Sequence, residues 1–80
     1  MYSTTISIPN IDAAKNFVDV MGKYNGFFMQ IKSENLTIDP HSIMGVLSLD
    51  LTKKLTLETD ENYPQEFISD ISLFVVEPED

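Results

Sequence analysis

The chain has no cysteine and no tryptophan, one histidine, three glycines, and 5 basic side chains against 13 acidic ones. Without thiols neither a disulfide framework nor a thiolate metal site can form, and a chain of 80 residues that folds without such staples fits a reducing compartment. The expected location is therefore cytoplasmic. A net charge of -8 repels nucleic-acid phosphates and anionic lipid headgroups, which sets aside both as partners. The same charge has two readings: a solvated surface that keeps a small domain dispersed, or attraction to a basic partner surface. No apolar run approaches the roughly 18 residues of a membrane span, and Met1-Tyr2-Ser3-Thr4-Thr5 lacks the basic and apolar stretches of a signal peptide, so neither membrane insertion nor export is expected. A single histidine cannot build a metal site of the usual kind, and neither metal nor cofactor is expected.

Eighty residues suffice for one small domain, 1–80, around one core. Hydrophobic residues make up 42% of the chain and charged residues 22%, too apolar a mixture for a disordered chain. The periodicity then orders the elements. Thr4-Thr5-Ile6-Ser7-Ile8 alternates as a half-buried strand does, and Pro9 ends it. Asn10 caps a helix carrying Ala14, Phe17, Val18 and Met21 on one face, with Asp12 at the positive end of its dipole and Asn25-Gly26 as its stop. Phe27–Lys32 and Leu36–Ile38 read as a hairpin turning at Glu34-Asn35. A short helix follows from Ser42, weakened by Gly45. Leu55-Thr56-Leu57-Glu58-Thr59 is the fourth strand. Asp60–Pro64 then supplies the capping residues of a last helix with Phe67, Ile68, Ile71, Phe74 and Val75 inward, ended at the latest by Pro78. A four-stranded sheet must bury its apolar face, so the order βαββαβα predicts a two-layer α+β domain.

Few residues carry candidate chemistry. No nucleophile–base pair, phosphate loop or metal cluster is visible, which argues against an enzyme with its own small-molecule substrate. The acidic tail Glu77-Pro78-Glu79-Asp80 reads as a solvated end. Ser42 stands where a serine accepts a hydrogen bond from a backbone N–H of the helix it opens. His41 just before it reads as a solvent-facing turn residue, the alternative being a phosphate-accepting imidazole. Spacing on the short helix makes Val46 and Leu49 the inward residues and leaves Ile43, Met44 and Leu47 as an apolar patch beside Ser42, unless all three join the core.

The run Ser42-Ile43-Met44-Gly45-Val46-Leu47-Ser48-Leu49 resembles the regulatory-serine helix of the HPr family, the small phosphocarriers of the bacterial sugar phosphotransferase system. The likeness extends over nearly the whole chain: Thr5-Ile6-Ser7-Ile8-Pro9-Asn10 is similar to the end of the family's first strand, and Phe17-Val18 to the middle of its first helix. It implies an HPr-like open-faced sandwich, a four-stranded antiparallel sheet with three helices on one face. The chain departs from the family where the phosphate is carried. HPr proteins have a Gly-Leu-His-Ala/Thr-Arg-Pro-Ala motif after the first strand, and here the stretch runs Ile8-Pro9-Asn10-Ile11-Asp12-Ala13-Ala14. Aligned on Phe17-Val18, Asn10 replaces the histidine and Asp12 the arginine; aligned on Pro9-Asn10, both fall in a gap. Asn10 has no nucleophilic nitrogen, and Asp12 sets a negative charge against an incoming phosphoryl group.

The resemblance implies a non-catalytic regulatory domain that binds a protein partner through the second helix, His41, Ile43, Met44 and Leu47 lining the contact. The implied partners are the HPr kinase, which in Gram-positive relatives phosphorylates the serine matching Ser42, or a transcriptional or metabolic regulator. The catabolite-repression paralogue Crh is a precedent, an HPr-like protein without the catalytic histidine that acts as a corepressor when phosphorylated on its serine. Crh and HPr use an arginine in the Asp12 region to bind that regulator, so Asp12 bears on the corepressor role and on the kinase contact. Two alternatives remain beside this reading: a phosphocarrier acting at a non-standard residue, and a constitutive binding domain that is never phosphorylated.

Overall fold

The computed structural model describes residues 1–34 and 36–76. β4 (Leu55–Thr59) is the strand around which the others assemble, and it has the limits its alternation predicts. Leu55, Leu57 and Thr59 turn to the buried side, and the Thr59 hydroxyl meets its own need by donating to the Asp60 carbonyl at 2.8 Å. β1 (Tyr2–Ile6) pairs antiparallel on one side of β4, from Tyr2 opposite Thr59 to Ile6 opposite Leu55. This strand begins two residues earlier than Thr4 and leaves β4 at Ile6, opposite Leu55, where β4 begins. Ser7 instead donates to the Phe74 carbonyl and Val76 donates to that of Thr5, while Ile8 is fully buried.

β2 (Met29–Lys32) lies on the other side of β4 and carries β3 (Thr37–Ile38) at the sheet edge, giving the order β1-β4-β2-β3 with every pairing antiparallel. The expected strand from Phe27 is shorter at its start, since an Asp60 carboxylate oxygen takes the Phe28 N–H at 3.2 Å in place of a ladder carbonyl. β3 stops after two residues because Asp39-Pro40 follows, and proline has no N–H to offer β2. Ser33 N–H donates to the Leu36 carbonyl at 2.9 Å and closes the hairpin; of the expected turn pair, Asn35 lies outside the described residues.

The helices α1 (Ile11–Met21), α2 (Ile43–Leu47) and α3 (Gln65–Ile71) form the second layer. α1 buries Ala14, Phe17 and Met21, the predicted stripe. It ends at Met21 rather than at Asn25-Gly26, and Lys23 and Tyr24 continue it in tighter turns onto the Val20 and Met21 carbonyls. Those turns bring Tyr24 inward, where its ring meets Phe67 edge-on at 5.2 Å. α3 departs most from expectation. Pro64 occupies its N-cap without a side-chain bond, and Asp60 accepts from Asn62 N–H within the preceding loop instead of capping the helix. The helix stops at Ile71, Phe74 is buried from a turn, and Val75 bridges Ile6 at the edge of β1. Pairing with β1 thus overrides the helical periodicity over the last residues; Pro78 and the acidic tail lie outside the described residues.

The core between the layers is built from Ile6, Ile8, Phe17, Met21, Ile31, Val46, Leu55, Leu57, Phe67 and Ile71. Phe67 is its aromatic centre, touching Tyr24, Phe27 and Tyr63, while Phe17 meets Phe74 edge-on at 5.1 Å. The architecture is the α+β, four-stranded antiparallel sheet with three helices that the element order predicts.

Candidate functional site

The site is the start of α2 and the turn that leads into it. Asp39 begins the turn, and one of its carboxylate oxygens accepts the His41 N–H at 2.9 Å, the local bond that an Asp-Pro sequence favours. Pro40 is buried beneath it. Ser42 N–H then donates to the Asp39 carbonyl at 3.1 Å, and Ser42 itself is extended. Its carbonyl accepts from Val46 N–H and its hydroxyl oxygen from Gly45 N–H at 3.1 Å, the N-cap bond predicted for it. The Ser42 side chain is exposed to solvent.

Five residues of helix make little more than one turn, so each side chain's face is set by a single anchor. That anchor is Val46, fully buried, with Leu49 buried just beyond the helix end. Met44 is 75% exposed and Leu47 37%, as the split of the stripe predicts. Ile43 differs: it is only half-exposed and packs against the core, so the exposed apolar surface beside Ser42 consists of Met44 and Leu47. Ile43 stands one turn before Val46 and Leu47, and in so short a helix its angle falls between the two faces.

His41 is not the solvent-facing turn residue expected. Its Nδ1 lies 2.8 Å from an Asp39 carboxylate oxygen and its Nε2 2.7 Å from the Tyr24 carbonyl, leaving 29% of the side chain exposed. Burial pulls the imidazole pKa down, but the Tyr24 carbonyl and the Asp39 carboxylate outweigh it and raise it above its ordinary value. The two bonds from His41 hold the Asp39 carboxyl below its ordinary range. The ring therefore joins the α2 approach to the end of α1. Asp39 has a sequence signal in the Asp-Pro pair; Tyr24, 17 positions away, has none.

Asn10 and Asp12 are at the other end of α1, about 16 Å along its axis. Asn10 caps α1, its side-chain oxygen accepting from Ala13 N–H at 2.8 Å, and Asp12 is exposed in the first turn. Ser42, Met44 and Leu47 are thus exposed along α2, the His41 ring is turned back to Asp39 and Tyr24, and Asn10 and Asp12 lie apart from the His41 turn. No group of His, Asp and Glu side chains among the described residues is arranged to hold a metal ion, and no helix among them is long and apolar enough to cross a membrane.

No protein-family model and no curated protein matches the chain. Among solved structures, the chain is similar to the crystal structure of HPr-C-His from Thermoanaerobacter tengcongensis, with a TM-score of 0.71 and 24% identity over 89% of this chain and 86% of that one. At this identity the likeness establishes the fold, which is HPr-like.

Proposed function

We propose that this chain is a non-catalytic regulatory domain related to the sugar phosphotransferase system, binding a protein partner through the α2 face beside Ser42, with Ser42 as its phosphorylation switch. The observation that carries this reading is the exposure of Met44 and Leu47 beside an exposed, capping serine on a helix otherwise turned into the core. Met44 and Leu47, three positions apart, share a face. Methionine adapts its shape to a partner, and neighbouring exposed apolar side chains in so small a domain offer a contact.

Ser42 suits a switch because its modification changes the surface without requiring a new fold. A phosphate ester leaves the bridging oxygen in place near Gly45 N–H and adds about -1.5 to -2 of charge and three acceptor oxygens next to Met44 and Leu47. A basic partner surface would be favoured, an acidic one repelled. The HPr-like fold supports placing this helix in the role that the corresponding helix plays in HPr proteins. Phosphocarrier action at His41 is disfavoured, because each ring nitrogen faces an acceptor oxygen, of Asp39 at 2.8 Å and of Tyr24 at 2.7 Å, and the ring would have to turn away from one of them to attack.

The test is intact mass after incubation with ATP and a Gram-positive HPr kinase and, separately, with the phosphohistidine donor of the phosphotransferase system. One added phosphate from the kinase, absent in Ser42→Ala, is the expected result. Phosphate acquired from the phosphohistidine donor would overturn the non-catalytic reading, and no phosphate from the kinase would overturn the switch.

A further inference from the structure

A neutral imidazole has one N–H to give and one lone pair to receive. His41 faces two groups that can only receive. Nδ1 is 2.8 Å from an Asp39 carboxylate oxygen and Nε2 is 2.7 Å from the Tyr24 carbonyl oxygen. With a neutral ring one of these contacts sets a lone pair against a lone pair, whichever tautomer is chosen. A protonated Asp39 would relieve the conflict, but that carboxylate already accepts the His41 backbone N–H and is largely exposed to water, so it stays ionised near neutrality. The imidazolium, with two N–H groups, satisfies both partners.

The two partners belong to different parts of the fold. Asp39 lies in the turn between β3 and α2, and Tyr24 in the turn that ends α1. We propose that His41 is a proton-operated clasp: doubly protonated, it holds the turn bearing Ser42 to the end of α1, and on losing its Nε2 proton to water it keeps Nδ1–H on the charged Asp39 carboxylate, the stronger acceptor, gives up the Tyr24 carbonyl and frees that turn. The bearing of the clasp on partner docking rests on the reading of the α2 face above; the clasp itself does not.

The surroundings leave little else to set the charge. From α1 and its end the ring meets the carbonyls of Tyr24 and Met21, while the Tyr24 phenol and the Lys23 ammonium are directed to Asp70. On the sheet side, Phe27, Phe28, Met29, Gln30, Thr37 and Ile38 line an open groove with Asp39 and His41, and none of these six is charged. α2 contributes no ionisable side chain between Ile43 and Leu47. Asp39 is thus the charged group against the ring among the described residues, and the open groove gives the proton a path to water. The imidazole pKa is raised above 6.5 in the folded chain, so the clasp contributes its full stabilisation below about pH 6.5 and loses it as pH rises through the folded value.

Two-dimensional NMR of the imidazole nitrogens across pH 5 to 9, on the full chain and on Asp39→Asn, tests this. The expected result is a ring protonated at both nitrogens at the acid end, with a midpoint above the ordinary 6.5. Asp39→Asn should lower that midpoint by roughly one pH unit, and the amide signals of Ser42 and Gly45 should move with the midpoint of the ring. Asp39 is 66% exposed, so its replacement is not expected to cost the fold. A midpoint at or below 6.5, indifference to Asp39→Asn, or Ser42 and Gly45 amides that stay still while the ring titrates would each overturn the clasp. A partner that fails to dock on α2 while these signals behave as expected would overturn the surface reading and leave the clasp intact.

Discussion

The starts of α1 and α2 are made with the same device and stand on different foundations. Asn10 accepts from Ala13 N–H at 2.8 Å and Ser42 from Gly45 N–H at 3.1 Å, each an exposed polar residue satisfying a backbone donor three positions on. Behind Asn10 runs a helix of 11 residues with three buried side chains; behind Ser42 runs one of 5 residues with Val46 as its buried member. α1 is held by its own packing. α2 is held by its neighbours: Leu49 after it, Ile43 half-packed within it, and the His41 clasp before it. A cap bond alone therefore says little about function. Both starts expose apolar side chains, Ile11 after Asn10 and the pair Met44 and Leu47 after Ser42. The α2 start differs in having a charged ring before its cap and in resting on few contacts of its own, which is where local opening is cheapest.

The comparison can be broken first in the core. Phe17→Ala beneath α1 should cost about 3–5 kcal/mol in urea unfolding, and Val46→Ala beneath α2 about half as much. Equal losses would mean that α2 is as deeply anchored as α1. The caps sharpen the contrast next. Asn10→Ala and Ser42→Ala should each cost their helix about 1 kcal/mol. In Asn10→Ala that loss should appear in the global unfolding midpoint, and in Ser42→Ala chiefly as faster hydrogen exchange of the Gly45, Val46 and Leu47 amides.

Tyr24 serves both regions, its carbonyl toward His41 and its phenol toward Asp70 of α3. The bond to Asp70, with burial, pushes the phenol pKa up to about 12, so its stabilisation is complete below pH 10 and is lost as pH rises through about 12. Alkaline absorbance should show one tyrosine ionising near 12, absent in Tyr24→Phe. That variant should lose about 1 kcal/mol at neutral pH and leave the His41 midpoint unchanged, because the backbone carbonyl remains. The smallest effect on folding belongs to the patch. Met44→Ser should change stability by less than about 0.5 kcal/mol while weakening the contact with HPr kinase.

Much of this arrangement is legible in the sequence, for reasons that also mark where it stops. The starts of α1 and α2 are announced by Asn10 and Ser42 because a cap is a local bond, and β4 keeps its limits because alternation on a central strand is enforced from both sides. Helix ends are set by tertiary contacts. α1 ends early as Tyr24 turns in to Phe67, and α3 gives up Val75 to Ile6, partners that no local pattern names. At the candidate site the inward Val46 and Leu49 and the outward Met44 and Leu47 follow from spacing. Ile43 does not, because little more than one turn of helix does not fix an angle. His41 is legible only as a turn residue, since the Tyr24 carbonyl that gives it a role comes from another element.

The most direct measurement is amide chemical-shift mapping of the labelled chain on addition of a Gram-positive HPr kinase without ATP. Shifts concentrated on Ser42, Met44, Gly45 and Leu47, with Asn10 and Asp12 little changed, are the predicted result. Shifts centred on Asn10 and Asp12 with α2 silent, or no shifts at any concentration that saturates ordinary HPr, would contradict the assignment of partner docking to the α2 face.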